Sequence, residues 1–361
     1  MPTRNAVCLC TDRNTLIPAL FVADAVKSSA KDPLNAFDVI IFIERSNVSE
    51  AAEQWMEARG IVLCDNLDMA PLRRIAKFEQ RLSAATLIKL VVAEHLAARY
   101  DKILYLDTDV TIHNDVSAIF SLDTGEFAVA AVGTGWRWPS TVDTARQALF
   151  RDHVRALGMT EPFRFINTGV LLIDVFKWNR AEVGARALDF IRRNQDLCFL
   201  PDEHGLNAVL DGRQAEISPP WNMQPPLLQS AMVRHTAEPI IVHYVGADKP
   251  WKKYGYGKRI RQNLPANRLY DAFVRNSPWP DWLDAQWTYG DFRKNVVYEL
   301  RLISRRLRRA PSAPLSRRQL RIEAGNFCHY CLETPFADVT QGIVIREAGM
   351  LRLSKSHAVP A

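Results

Sequence analysis

The sequence predicts an α/β protein, a mostly parallel, twisted sheet flanked by helices, followed by a basic, largely helical C-terminal extension. Three observations carry this prediction. Short apolar runs alternate with helical patterns through the first two-thirds of the 361 residues, which is how strand–helix–strand units on a parallel sheet read. One of these runs closes on two aspartates, at the strand end where such sheets bind ligands. Basic charge gathers late in the chain, beyond the alternating region. With 48% hydrophobic and 24% charged residues, the composition is that of a globular protein. The length suits one large domain with an appendage, or two domains.

Each element follows in order. "AVCLC" reads as the first strand and Thr15 to Ser29 as the helix after it. "FDVIIFI" is a second strand, "SEAAEQWMEAR" a helix and "GIVLC" a third strand. From Ser83 to Arg99, apolar residues at Leu87, Leu90 and Val91 have the spacing of a packed helix. That helix leads into "KILYLDTDV", Lys102 to Val110, a buried strand ending in Asp107 and Asp109. "FAVAAV", "TGVLLIDV", a helix from Arg180 to Arg193 and "PIIVHYV" complete the alternation. A break near "NSPWP" divides the chain into a body, residues 1–275, and an extension, residues 276–361, with a Pro/Ser hinge at "APSAPLS".

Several classes are disfavoured. No basic stretch followed by an apolar stretch marks a secretory signal, and the apolar runs are too short to span a bilayer. Six scattered cysteines form no disulfide framework, which suits a reducing cytoplasm. The lone "CHYC" lacks the second ligand pair of a zinc site. The net charge is +6, yet between Arg293 and Arg321 ten Lys or Arg stand against the single acid Glu299. Within that stretch Phe292, Val296, Leu300, Ile303 and Leu307 follow helical spacing, with Arg301, Arg305, Arg306, Arg308 and Arg309 largely off the stripe. Trp279, Trp282, Trp287 and Tyr289 precede it. A basic amphipathic helix with nearby aromatics suits an anionic membrane surface. Packing of the stripe against the body is the competing reading. Nucleic acid is disfavoured, because no reading motif accompanies the charge.

The chemistry-bearing residues lie at strand ends. Burying a carboxylate costs several kcal/mol, on the order of the penalties for unpaired charges, unless a cation or good donors meet it. Asp107 and Asp109 therefore suggest oxygen ligands for a hard divalent cation, or else a turn or helix-capping feature. "IVHYVGADKPW" offers His243 as a nitrogen ligand, Gly246 for close backbone approach and Lys249 as a charge for a phosphate; a buried histidine and a solvated lysine are the plain alternative. "RFINTGVLLIDV" supplies Asn167 and Gly169, and "LPDEHGLNAVL" supplies Asp202, Glu203 and Asn207 at a helix start, where acids also serve the helix itself.

Taken in order, "CTDRN", "RLSAATLIKL", "YLDTDV", "FINTGVLLIDVFKWN", "DEHGLN" and "HYVGADKPW" resemble the family 8 glycosyltransferases, from about Asn5 to Gly257. The resemblance implies a GT-A fold for residues 1–275 and a retaining enzyme that takes a hexose, galactose or glucose, from a UDP-sugar. By the same resemblance Asp107, Asp109 and His243 would bind Mn²⁺, with Mg²⁺ as a second candidate. Lys249 and Gly246, with Asp107, would face the donor diphosphate. Asp12 and Asn14 would hold uridine, and Asn167 and Asp202 would line the donor-sugar pocket. Lys89 stands where the family usually carries an arginine that contacts the donor. An envelope or lipopolysaccharide-type saccharide, or a glycolipid, is the implied acceptor, and the inner face of the cytoplasmic membrane the implied location. Three departures stand out: "DEHGLN" replaces the family's "DQDxLN", Thr15 replaces an aromatic, and Lys89 loses the arginine's fork. Glu203, in place of the glutamine, would stabilise positive charge on the sugar or attack the anomeric carbon. A catalytically inactive scaffold, or a membrane-surface binding protein, is the alternative.

Overall fold

The structure is a computed structural model. It describes residues 4–31, 36–75, 83–134, 144–160, 164–228, 230–246, 249–251, 258–285, 296–297, 300, 304, 317–334 and 336–337. The strands are β1 (Asn5–Cys10), β2 (Phe37–Phe42), β3 (Ile61–Cys64), β4 (Lys102–Leu106), β5 (Val110–Ile112), β6 (Val129–Gly133), β7 (Ile166–Asp174), β8 (Ala215–Glu216) and β9 (Ile241–His243). Seven of them form one sheet in the order β3-β2-β1-β4-β7-β6-β8. Within it only β7 runs against the rest, antiparallel to both β4 and β6.

Alternation along the strands builds a core on each face. Val7 and Leu9, Leu104 and Leu106, and Val170 and Leu172 point into one cluster. Ala6 and Cys8, Ile103 and Tyr105, and Leu171 and Ile173 point into the other. Helix Leu16–Ser29 covers the first face through Leu20, Ala23 and Val26. Helices Val183–Arg193 and Pro201–Leu210 cover the second through Ala187, Ile191, Leu206 and Leu210. Burial on both sides is what makes these runs read as nearly continuous apolar sequence.

Three local differences from the sequence expectation have physical causes. Residues 83–99 are not one helix: Ala84–Leu90 winds as a 3₁₀ helix, followed by one short α-turn, Val92–His95. Leu87, Ile88, Lys89 and Leu90 are all buried. Gly184 permits this, because a Cβ there would collide with the Leu90 carbonyl. The helix read from Arg180 to Arg193 begins at Val183, because Glu182 at φ 51° separates it from a short preceding helix, Val175–Arg180. "PIIVHYV" does not join the main sheet; β9 pairs antiparallel with β5, Val110 opposite His243, in a separate two-stranded sheet.

Two described segments of the extension pack on the body. Trp279 and Trp282 pack against the same core as Phe21, Trp55 and Tyr270, and Phe21 stacks on Tyr270 at 3.9 Å between ring centroids. Helix Arg317–Glu333 buries Ala324, Phe327, Cys328 and Cys331 against Met223, Val233 and Ala237. Val296, Val297 and Leu300 are exposed; Phe292, Ile303 and Leu307 of the same stripe, and Trp287 and Tyr289 before it, lie outside the described residues. Among the described residues, no helix is long and apolar enough to cross a membrane.

Candidate active site

Neighbouring strands β1 and β4 run parallel with Leu9 opposite Leu106, so Thr11 and Asp12 emerge at the same sheet edge as Asp107. Antiparallel β7 brings Asn167, Thr168 and Gly169 to that edge from the other direction, and the Asp107 N–H donates to the Gly169 carbonyl at 2.8 Å. The turn 107–109 then leads into β5, whose pairing with β9 sets His243 beside it; the Tyr244 N–H donates to the Asp109 carbonyl at 2.9 Å. One ligand atom each from Asp107, Asp109 and His243 lies within 4.8 Å of the others. The fit is tight on the protein side, since a Cβ on Gly169 would run into the His243 ring and the Asp107 carboxylate.

Two carboxylates and an imidazole form a donor set suited to a divalent cation. Asp107, Asp109 and Asp202, with Glu203 beside them, converge here around the ammonium groups of Lys89 and Lys249 and the ring of His243. Burial alone would raise the Asp109 carboxyl, but His243 and then Lys249 outweigh it and hold the group below the usual carboxylate range. For His243, burial opposes the charged ring, and Asp109 followed by Asp107 overrides that and raises its pKa. Lys249 Nζ donates to Asp109 and to the Tyr244 carbonyl. Gly246, between His243 and Lys249, holds φ 91° with open space about it, a conformation that favours glycine.

Lys89 does not face outward. Its side chain is 2% exposed, and Nζ lies 2.7 Å from Asp202 Oδ2 and 3.1 Å from Asp107 Oδ1. It also donates to the Thr168 carbonyl at 3.2 Å, and it sits 4.7 Å from the centroid of the Tyr105 ring. Burial works against its charge, yet Asp107 and Asp202 prevail and raise its pKa. The lysine at this position is therefore an internal counter-ion between two carboxylates.

Helix Pro201–Leu210 begins with Pro201 at its first turn, followed by Asp202 and Glu203, residues suited to a helix start. Asn207 pins it to β7, accepting from the Ile166 N–H at 2.7 Å and donating to the Ile166 carbonyl at 2.9 Å. Glu203 Oε2 accepts from Asn167 Nδ2 at 3.0 Å. Burial, and then the charge of Asp202, pushes its carboxyl up to about 7. His204 turns the other way and is buried against His153, Phe199 and the Leu197 carbonyl. Burial and His153 lower it to about 4, so it is neutral.

Asp12 also serves the backbone: its Oδ1 accepts from the N–H groups of Asn14 at 2.8 Å and Thr15 at 3.2 Å, opening helix Leu16–Ser29. Asn14 is exposed. A cleft of about 250 Å³ opens beside Asp12, lined by Thr11, Met69, Ser83, Ala85 and Ile88 among others. Two residues of the site went unnoticed in the sequence. Tyr105 donates to Asp107 Oδ1 at 2.6 Å and reads there only as one more apolar strand residue. Asn222, 2.9 Å from His243 Nδ1, ends the short 3₁₀ helix Pro219–Asn222, a proline-flanked segment with no pattern to mark it.

Comparison with known proteins agrees with this geometry. The family model "Glycosyl transferase family 8" matches residues 6–255. Relatives include the lipopolysaccharide 1,2-glucosyltransferase of Escherichia coli K12, 26% identical over 55% of this chain and 56% of the relative. The lipopolysaccharide 1,3-galactosyltransferase of Salmonella typhimurium is 23% identical over 54% of this chain and 55% of the relative. General stress protein A of Bacillus subtilis is 28% identical over 42% and 52%. The chain thus spans about half the length of these relatives. Among solved structures, the galactosyltransferase LgtC with donor and acceptor sugar analogues has a TM-score of 0.59 at 20% identity, over 74% of this chain and 95% of LgtC. An active-site variant of LgtC with glutamate in place of a glutamine has a TM-score of 0.58 at 20% identity, over 73% of this chain and 95% of the variant. LgtC shares the GT-A fold seen here, and with the family model covering most of the chain, the protein belongs to glycosyltransferase family 8.

Proposed function

We propose that the chain is a retaining hexosyltransferase, moving galactose or glucose from a UDP-sugar to a saccharide acceptor of envelope or lipopolysaccharide type. The observation that carries this reading is the convergence of Asp107, Asp109 and His243 at one sheet edge, beside Lys249. These three would hold Mn²⁺, or Mg²⁺ less well matched to the nitrogen, and the cation when bound would offset charge on the diphosphate leaving group. Lys249, partly exposed next to Asp109, would add a second positive charge at the same place. Gly246 lets the backbone approach the diphosphate closely, and Asp12 and Asn14 would hold the uridine at the end of β1. Asn167 and Asp202 would line the sugar pocket. Glu203, close to its midpoint at neutral pH, would in its ionised form stabilise positive charge on the anomeric carbon, with nucleophilic attack as its second potential role.

UDP release from a panel of UDP-hexoses tests the reading. Slow turnover without acceptor, dependent on Mn²⁺ and abolished by chelation, is expected. Absence of UDP release from every donor with Mn²⁺ present would favour an inactive scaffold. The ionised fraction of Glu203 grows as pH rises through about 7, so the wild-type rate should climb over that limb and Glu203→Gln should lose it. Identical pH profiles would remove Glu203 from the chemistry.

For residues 276–361 we propose contact with an anionic membrane surface, which would bring a cytoplasmic enzyme to a glycolipid acceptor. Exposure of Val296, Val297 and Leu300 supports it, while Trp279 and Trp282 are half-buried against the core. In flotation with anionic vesicles, Val296→Asp combined with Leu300→Asp should lower recovery several-fold. Unchanged recovery would sink the idea.

A further inference from the structure

Four side chains connect the candidate cation site to Glu203. His243 Nδ1 meets Asn222 Oδ1 at 2.9 Å, Asn222 Nδ2 meets Asn167 Oδ1 at 2.8 Å, and Asn167 Nδ2 meets Glu203 Oε2 at 3.0 Å. The polarity of this chain is set by a group that cannot reverse. The Gly169 backbone N–H donates to Asn167 at 3.1 Å, so the Asn167 atom facing it is oxygen and its NH₂ is directed at Glu203. That same oxygen also faces Asn222, which must present its NH₂ there and its own oxygen to His243. His243 Nδ1 therefore carries a proton.

We propose that Asn222 is a positioning residue: with Asn167 it forms a one-way amide relay, oriented by the Gly169 N–H, that fixes His243 in the Nδ1–H tautomer and aims a donor at Glu203. The consequence at one end is that Nε2, which lies 3.2 Å from Asp109 Oδ1 and 3.7 Å from Asp107 Oδ2, is the ring nitrogen offered to a cation. The consequence at the other end is that Glu203 is held as an acceptor, which favours its carboxylate. The loop is built to place Asn222: the Met223 N–H donates to the Ile241 carbonyl at 2.9 Å, and the His243 N–H donates to the Met223 carbonyl at 2.9 Å. Asn222 and Asn167 are 6% and 8% exposed, so water does not substitute readily for either amide.

This inference rests on the cation site proposed above, and its test separates the two. Free Mn²⁺ is counted by electron paramagnetic resonance in titrations of the full chain with UDP present. Asn222→Ala removes the acceptor of His243 and should weaken Mn²⁺ binding about 10–100-fold, the usual cost of losing the partner of a ligating histidine. Asn222→Asp still accepts from Nδ1–H but cannot donate to Asn167. It should keep Mn²⁺ affinity within about threefold of wild type, on the view that the acceptor alone carries that effect, while kcat falls and its pH limb moves to higher pH. A merely structural asparagine would lose affinity and kcat together in both variants, and that result overturns the relay. Nitrogen-15 spectra of histidine-labelled protein loaded with diamagnetic Mg²⁺ read the tautomer without mutation, His243 being assigned by its absence in His243→Gln. An unprotonated Nδ1 would refute the proposal. Wild-type protein that fails to bind Mn²⁺ would overturn the cation site and the relay together.

Discussion

Asp109→Asn is expected to lower Mn²⁺-dependent UDP release by about 10³-fold, corresponding to roughly 4 kcal/mol of lost transition-state stabilisation. The substitution keeps the shape of the side chain and removes the charge that His243 and Lys249 both face. Asp109 is the most enclosed carboxylate of the proposed ligand set, 11% exposed against 29% for Asp107, so water replaces it less easily. Binding and folding separate in one experiment. A cation that binds only the folded state raises stability by about 2.7 kcal/mol at a hundred times its Kd. Added Mn²⁺ should therefore raise the Tm of the wild type and leave that of Asp109→Asn unmoved. A variant that retained the Mn²⁺-induced shift would show that the ion sits elsewhere.

The alternating strands and the acids at their ends were legible because each depends on neighbours a few positions apart. Periodicity marks β1, β4 and β7 as buried, and the abrupt arrival of Asp107 after Leu106 marks a site. What lay beyond reach depends on the path between elements. Lys89 reads as one polar residue on a packed helix, yet the 3₁₀ winding of Ala84–Leu90 turns it wholly inward, onto Asp107 and Asp202. His204 and Glu203 are adjacent in "DEHGLN", but successive residues of a helix are about 100° apart. One therefore enters the site while the other packs against Phe199 and His153. Asn222 was invisible because its role follows from a backbone pairing between its loop and β9, which leaves no periodic trace. Trp279 and Trp282 show the reverse case: aromatics beside a basic stripe suggest an interface, and here both are half-buried, packed against the core that holds Trp55 and Tyr270.

Lys89→Met should be the most destabilising single change at the site. Methionine follows much of the lysine stem, so packing is nearly preserved and the ammonium alone is lost. Two carboxylates, Asp107 and Asp202, then face one another without their shared cation, and the Thr168 carbonyl loses its donor. Removing one partner of a buried ion pair costs about 3–5 kcal/mol, because the remaining charge stays buried. For a chain of 361 residues that corresponds to a Tm lowered by roughly 4–7 °C. The pH dependence follows from the sign of the shift. The folded pKa of Lys89 is raised, so the stability it contributes is fully present below the unfolded value of about 10.4 and is lost only as pH rises through the folded value. Lys89 also holds the Glu203 carboxyl down, so in Lys89→Met Glu203 keeps its proton to higher pH and the deficit should widen as pH rises above about 7. Adding Asp202→Asn to Lys89→Met should recover part of the loss, since it removes one of the orphaned charges, and the coupling measured in that cycle reports the pair directly. A Tm within about 1 °C of wild type, which on the same scaling is about 1 kcal/mol or less, would mean that the two carboxylates do not depend on Lys89. The arginine expected at this position in relatives would then be the better guide to its role, directed at the donor.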